Sequence, residues 1–177
     1  KDFYWTIHTA LKNLFLSLMK LILPTLFILM MMSCQEIEEE RIIQSKELES
    51  STMKTIVESK NTPAPIGPYS QAVMHGNTLY VSGQIAINPS TGELDTSSIA
   101  NETEWVIKNL GAVLAAAGMD YTNVLKCSIF LSDMDNFAEV NSIYGKYFTE
   151  NPPARETVAV KTLPKNVNVE ISCIAAK

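Results

Sequence analysis

The stretch QAVMHGNTLYVSGQI, residues 71–85, decides the fold because it contains a complete β-hairpin. Gly76-Asn77 separates two runs rich in β-branched and aromatic residues, and a two-residue loop of this kind joins antiparallel strands. The second run alternates apolar and polar residues, which predicts a strand with one face of each kind. The predicted apolar face carries Leu79, Val81 and Ile85, and the polar face carries Thr78, Tyr80, Ser82 and Gln84.

Outward from the hairpin, the sequence predicts a short strand before it and a helix followed by a strand after it. MKTIVES, residues 53–59, is the first strand. In SSIANETEWVIKNLGAVLAAAGMD, residues 97–120, apolar side chains recur at helical spacing and Gly118 is placed to end the helix. VLKCSIFL, residues 124–131, is predicted as a strand whose buried face carries Leu125, Cys127, Ile129 and Leu131.

The C-terminal third predicts a second helix and two further strands. Asn136 and Glu139 have the spacing of a capping box at the start of this helix, and Pro152-Pro153 is predicted to close it. ETVAV, residues 156–160, and NVNVEISCIAA, residues 166–176, are predicted strands. The order β-ββ-α-β-α-β-β predicts an α+β sandwich with two helices on one face of a mixed sheet.

The sheet face without helices is predicted to be polar and to need water or a partner. Alternation places Arg155 and Thr157 opposite Val158, and Glu170 opposite Ile171. We assign Arg155 and Glu170 to the same open face as the polar side of the hairpin. A polar face with a few apolar residues suggests burial against other subunits.

Composition excludes several classes of function. The 177 residues carry a formal net charge of −5, and residues 53–177 hold nine Lys and Arg against twelve Asp and Glu, so bulk charge gives no support to a nucleic-acid partner. Cys34, Cys127 and Cys173 form no CxxC pair, and with only two histidines we expect no bound metal. Cys127 and Cys173 lie in apolar runs, which is typical of buried reduced thiols.

The first fifty residues differ from the rest. Residues 21–32 form an apolar run that is too short to span a membrane but suits a secretory signal, and it lies between Met19-Lys20 and Cys34. This order is similar to a bacterial lipoprotein signal, so residues 1–34 are interpreted as a leader with Cys34 lipidated and residues 1–18 as upstream read-through. The alternative is a spurious leader with translation starting at Met53. Residues 35–52 are charged and polar, as in a tether.

Five blocks in residues 53–177 resemble the RidA/YjgF family of enamine/imine deaminases. They are APIGPYSQAV, LYVSGQIAINPSTGEL, LSDMDNFAEVN, PPARETVAV and LPKNVNVEISCIAA. The resemblance runs from about Lys54 to Ala176. It implies a chorismate-mutase-like sandwich that assembles as a homotrimer with a central barrel and active sites between subunits. It also implies cofactor-independent hydrolysis of 2-imino or 2-enamino acids, such as 2-iminobutanoate, to 2-keto acids and ammonia, as a detoxification.

The resemblance assigns roles to particular residues. It implies that Arg155 holds the substrate carboxylate, that Glu170 positions the attacking water and that Tyr69 borders the site. It also places four further residues at the substrate: Ser82, Gly83, Asn141 and Thr157. Many family members have cysteine at the position of Thr157, where the contact is mainly through the backbone carbonyl.

Two other functions remain open at this stage. One is a non-catalytic small-molecule-binding trimer, and the weaker one is a ribonuclease or translation inhibitor. The acidic charge balance and the lack of a histidine pair argue against the second. Two locations are compatible with the sequence: the Cys34 signal predicts the bacterial cell envelope, whereas a start at Met53 predicts the cytoplasm, which is usual for the family.

Overall fold

The structure, a computed structural model, describes residues 19, 31, 35, 38–46, 48 and 53–177. The chain divides into two compact units, Lys1–Ser50 and Ser51–Lys177. In the first unit, residues 38–46 of the predicted tether are helical and exposed. No helix within the described residues is both long and apolar enough to cross a membrane. Cys34 and nearly all of the predicted leader lie outside the described residues, so the lipoprotein signal stays a prediction.

The second unit is a six-stranded sheet with two α-helices, in agreement with the predicted α+β class. The strands lie in the order β1-β2-β3-β6-β4-β5, and only the β4–β5 pair is parallel. The elements are β1 (Lys54–Val57), β2 (Ala72–His75), β3 (Thr78–Gln84), α1 (Ile99–Ala116), β4 (Val124–Leu131), α2 (Phe137–Tyr144), β5 (Ala154–Ala159) and β6 (Val169–Ala176). Both helices pack against each other, and α1 lies on β3 and β6.

The predicted hairpin and first helix are confirmed. His75 pairs with Thr78, so Gly76 and Asn77 form the two-residue loop, and Gly76 supplies the left-handed backbone with φ of 58°. The Ser98 side chain accepts a hydrogen bond from the Asn101 backbone at the start of α1. Gly118 has φ of 68° just beyond the end of the helix, where a left-handed residue is expected.

The second helix is shorter than predicted, and its predicted capping box is absent. Asn136 has helical backbone angles and its side chain makes no capping hydrogen bond. It closes a 3₁₀ turn, Met134–Asn136, whose own start is capped by the Asp133 side chain. The helix ends at Tyr144, well before Pro152, with Gly145 as its C-cap. Beyond the turn, the Phe148 ring stacks on Tyr144 with 4.3 Å between ring centroids.

Two bulges overturn predicted side-chain orientations. In β4, Val124 pairs with Ala175 but Lys126 pairs with the adjacent Ile174, so the extra residue Leu125 turns outward and is 57% exposed. In β3, two residues lie between Val81 and Gln84, whereas only one lies between their partners on β6, Cys173 and Ile171. The alternation therefore reverses, with Gln84 buried and Ile85 in a second, smaller cluster with Ile87, Leu163 and Val167.

The register also shows that Arg155 was assigned to the wrong face. Arg155 pairs with Cys127, which pairs with Cys173, and both cysteines are buried in the main core beneath the helices. Arg155 and Thr157 therefore lie on the helix side of β5. Glu170 pairs with Phe130 and lies on the opposite, open face, as predicted. The sequence fails here because strand alternation defines two faces without saying which one an edge strand turns toward the helices.

Candidate active site

Arg155 is held in place by three side chains of α2. Its Nη1 donates a hydrogen bond to Asn141 Oδ1 at 2.8 Å. Its guanidinium carbon lies 4.8 Å from the Tyr144 ring centroid and 5.8 Å from that of Phe137, both within cation–π range. Asn141 and Tyr144 share one face of α2 because they are three residues apart. A guanidinium fixed in this way is ready to bind a planar carboxylate.

The guanidinium opens on an exposed cavity of about 400 Å³. Pro152 and Pro153 form one wall of it and lead directly into β5, so the two prolines stiffen the approach to Arg155. The cavity is lined by Asn141, Tyr144, Gly145, Phe148, Pro152, Pro153 and Arg155. We call Asn141, Tyr144 and Arg155 the arginine half-site.

One buried hydroxyl beside this half-site, that of Thr157, has no hydrogen-bond partner within residues 53–177. The buried Tyr144 hydroxyl lies against the Cys127 thiol, and burial followed by this contact raises the pKa of Tyr144. An unsatisfied buried hydroxyl costs roughly 1–3 kcal/mol. Thr157 does not line the cavity itself. It lies two residues from Arg155 on the same face of β5.

Glu170 is the charged residue of a second cavity, of about 240 Å³, on the open face of the sheet. This cavity is lined by Ile66, Tyr69, Gly83, Ile85, Pro164 and Glu170. Partial burial raises the pKa of the Glu170 carboxyl above its usual value. A carboxylate with a raised pKa beside an apolar wall is a better proton acceptor than one in water, which suits a general base.

Gly83 allows the Glu170 carboxylate its position. A Cβ atom on Gly83 would lie 1.8 Å from Glu170 Oε1, so only glycine leaves room for the carboxylate against the β3 backbone. Gly83 belongs to the bulge that separates Val81 from Gln84, and the bulge brings this backbone toward β6. The glycine is therefore required by a close approach to Glu170.

Tyr69 borders the same cavity from the loop before β2. Its hydroxyl accepts a hydrogen bond from the Ile66 backbone at 3.3 Å, and its own backbone N–H donates to the Gly67 carbonyl at 2.9 Å. Ser82 instead donates its hydroxyl to the Ser70 carbonyl at 2.7 Å and does not line the cavity. Ser82 thus fastens the tyrosine loop to β3. We call Tyr69, Gly83 and Glu170 the glutamate half-site.

The structure brings the predicted residues together in two groups and not in one. The arginine half-site lies on the helix side of the sheet and the glutamate half-site on the open side. Several cavity-lining residues were not predicted from the sequence as site residues: Tyr144, Gly145 and Phe148 beside Arg155, and Ile66, Ile85 and Pro164 beside Glu170. Tyr144 was recognisable from its spacing to Asn141, whereas Ile66 and Pro164 are loop residues with no periodic signal.

Comparison with known proteins identifies the family. The family model described as Endoribonuclease L-PSP matches residues 59–177. A human 2-iminobutanoate/2-iminopropanoate deaminase is 44% identical over 126 residues, which are 71% of this chain and 92% of the human protein. The chain belongs to the RidA/YjgF family.

Solved structures of the RidA/YjgF family share the fold. The Rid-family protein YyfA of Yersinia pestis is 46% identical, with a TM-score of 0.69, over 71% of this chain and all of that one. TdcF of Escherichia coli, solved with bound serine, is 34% identical with a TM-score of 0.67, over 70% of this chain and 98% of its own. The predicted family and its sandwich fold are therefore confirmed, while the trimer and the site roles stay predictions.

Proposed function

We propose that this RidA/YjgF-family protein hydrolyses reactive 2-imino and 2-enamino acids to 2-keto acids and ammonia without a cofactor. The observation that carries the proposal is the preorganised guanidinium of Arg155, held by Asn141 and two aromatic rings at the mouth of an open cavity. A 2-imino acid presents a carboxylate next to its electrophilic carbon. Holding the carboxylate therefore fixes the reacting carbon as well.

The chemistry requires an oriented water and a base. Water adds to the C=N carbon of the protonated imine while the Glu170 carboxylate accepts one proton of that water, which gives a neutral carbinolamine. Glu170 returns this proton to the nitrogen and the C–N bond breaks to release ammonia. The carbinolamine hydroxyl passes its proton to the ammonia as the C=O bond forms, so one water is consumed and ammonium leaves. The raised pKa of Glu170 suits both steps because the group exchanges protons closer to neutral pH. Tyr69 borders the same cavity and is placed to contact the substrate.

The two half-sites lie on opposite faces of one sheet, and we propose that a complete site forms between two copies of the chain. One copy then supplies Arg155 and its neighbour supplies Glu170. A homotrimer closes such a head-to-tail interface into a ring. Apolar exposure on the open face is consistent with this assembly, since Tyr80 is 50% exposed and Val158 44%.

Mixing two inactive variants tests both the activity and the shared site. Arg155→Ala and Glu170→Gln should each be nearly inactive toward 2-iminopropanoate made by a coupled dehydratase. After joint refolding in equal amounts, random mixing leaves about one quarter of the sites of a heterologous ring with both residues intact, so activity should return. Absence of recovery in mixed oligomers would place both residues in one protomer's site. No acceleration by wild type would overturn the deaminase proposal and favour a non-catalytic binding protein.

Ribonuclease activity is the second candidate because the matching family model is described as an endoribonuclease. Incubation of the same preparation with single-stranded RNA separates the two. RNA cleavage that persists in both Arg155→Ala and Glu170→Gln would come from another site or a contaminant. Cleavage lost in both variants, together with no imine hydrolysis, would establish the ribonuclease in place of the deaminase.

We also propose that the protein is anchored in the cell envelope through lipidated Cys34. The support is the order of signal elements in the sequence, from Met19 through the apolar run to Cys34. Intact-mass spectrometry of the native protein should find a diacylated N-terminus at Cys34. A mature protein that begins at Met53 would contradict the anchor and favour the cytoplasm.

A further inference from the structure

Glu102 is a fully buried carboxylate outside the two half-sites. It lies in the first turn of α1, where the helix dipole favours negative charge, and is 0% exposed. Burying a carboxylate is costly unless hydrogen bonds replace its water. Three hydrogen bonds from the protein replace the water around the Glu102 carboxylate. Oε1 accepts from the backbone N–H groups of Asn168 and Val169, the latter at 3.0 Å, and Oε2 accepts from Asn168 Nδ2 at 3.0 Å.

The residue that Glu102 holds is also held from the other side. The Asn168 carbonyl accepts a hydrogen bond from the Ser132 backbone at 2.9 Å, and its Oδ1 accepts from the Ser132 hydroxyl at 2.8 Å. Asn168 is therefore fixed between α1 and the end of β4. We call Glu102, Ser132 and Asn168 the clamp. It sets the position of the chain at the residue before β6 begins.

In sequence, Asn168 of the clamp lies between two residues that line the Glu170 cavity, Pro164 and Glu170. Glu170 follows Asn168 by two residues. Within residues 53–177 its carboxylate makes no side-chain hydrogen bond, so its position depends on the β6 backbone and the contact with Gly83. On the other side, Lys165 and Asn166 have φ of 55° and 57°, a strained pair that follows the cavity residue Pro164. Strained turns persist only when their surroundings fix them.

We infer that Glu102 is a positioning residue that fixes the Glu170 carboxylate, and with it the Pro164 wall, in the geometry required for attack of water. The inference rests on the proposed function. It assigns Glu102 no contact with substrate. It explains why the fold buries a carboxylate that binds backbone groups 66 and 67 residues away in sequence.

Kinetics of clamp variants in the full chain test this role. In Glu102→Ala, kcat for the imine should fall by roughly ten- to a hundredfold, because small displacements of a catalytic group have effects of this size. KM should change little, since the arginine half-site is untouched. Glu102→Gln keeps an oxygen for the two backbone N–H groups but turns an amide NH₂ toward Asn168 Nδ2, so it should recover part of kcat. If Glu102→Ala does not fold, Glu102→Gln and Asn168→Ala carry the test.

A core variant serves as the control that separates a positioning role of Glu102 from a general loss of stability. Val113→Ala removes a fully buried side chain from the same helix and should lower the melting temperature without changing kcat per folded protein. In Glu102→Ala the acidic limb of the pH–rate profile should also move to lower pH, because a loosened β6 exposes Glu170 to water. A Glu102→Ala protein that matches Val113→Ala in stability, with wild-type kcat and pH profile, would overturn the inference.

A second readout keeps the inference separate from the proposed function. If wild type does not hydrolyse imines, the proposed function fails, yet the position of Glu170 can still be followed. Its carboxyl carbon, labelled with ¹³C, should titrate at a lower pH in Glu102→Ala than in wild type. An unchanged titration would overturn the positioning role whatever the activity of the protein.

Discussion

The two half-sites present opposite charges by different physical means. The Arg155 guanidinium lies within cation–π range of two aromatic rings and donates a hydrogen bond to Asn141, so its direction is fixed before substrate binds. Glu170 has no such partner within residues 53–177. It stands against a glycine backbone and an apolar wall, and its charge is made less favourable by burial. One half-site is organised by contacts and the other by the shape and dielectric of its cavity.

This difference suits the two roles. A residue that binds the substrate carboxylate should hold it tightly and stay charged. A guanidinium stays charged at any physiological pH. A base must exchange protons, so a shifted pKa and a mobile proton are useful. Substitutions should therefore have different effects at the two half-sites. Changes at the arginine half-site should remove binding, and changes at the glutamate half-site should alter proton transfer.

The largest effect is expected from Arg155. Arg155→Ala should abolish nearly all activity. Arg155→Lys keeps the charge but loses the planar fork, and a charge-assisted hydrogen bond contributes on the order of 1.5–3 kcal/mol, so kcat/KM should fall by about tenfold or more. Melting temperature should change little because Arg155 lies at the edge strand. Initial rates of 2-iminopropanoate loss at low buffer concentration measure this. Wild-type rates in both variants would show that Arg155 does not bind the substrate carboxylate.

The next largest effect is expected from Gly83→Ala. The new Cβ would meet the Glu170 carboxylate at 1.8 Å, and a flexible side chain yields more easily than a strand. Glu170 should therefore move, and kcat should fall by roughly tenfold or more with little loss of stability. Gly92→Ala is the control. Gly92 has φ of 74° with open space around it, so alanine there should reduce stability and leave kcat unchanged. If Gly83→Ala kept the wild-type kcat while Gly92→Ala lost activity, the close approach of Glu170 to Gly83 would have no catalytic importance.

Much of the fold could be predicted from the sequence because its signals are local. The hairpin at Gly76-Asn77 and the helix that ends near Gly118 depend on turn chemistry and periodicity that short stretches carry. Leu125 and Ile85 were misplaced because a bulge inserts one residue and reverses all alternation beyond it. No local pattern announces a bulge, since it depends on the partner strand.

The candidate site was predictable only as a set of residues. The family blocks identified Arg155 and Glu170, but alternation placed them on one face. The parallel pairing of β5 with β4 places Arg155 on the helix side instead, because Arg155 then aligns with buried Cys127. Glu102 could not be foreseen either. A glutamate in the first turn of a helix is ordinary, and only the tertiary fold brings Asn168 to it.

Glu170→Gln should change how stability depends on pH. The folded-state pKa of Glu170 is raised by burial, so the ionised carboxylate destabilises the fold at neutral pH, above both the folded and the unfolded pKa. The variant should therefore melt at a higher temperature than wild type at pH 7. That advantage should shrink as pH falls through the folded pKa and disappear below the unfolded one. Melting curves from pH 3.5 to 8 check this.

The smallest expected effect concerns backbone strain in the turn that precedes the clamp. Lys165 is exposed with φ of 55°, a left-handed conformation that costs a non-glycine residue roughly 1–2 kcal/mol. Lys165→Gly removes this cost, but the unfolded chain gains freedom worth about 0.4–1 kcal/mol, so a net stabilisation of roughly 0.5 kcal/mol should remain. Lys161→Gly is the matched control, because Lys161 is also exposed but is not left-handed. Glycine there should destabilise. Urea denaturation measures the free energy of unfolding of both variants. An equal loss of stability in the two would mean that the turn before the clamp holds no strain.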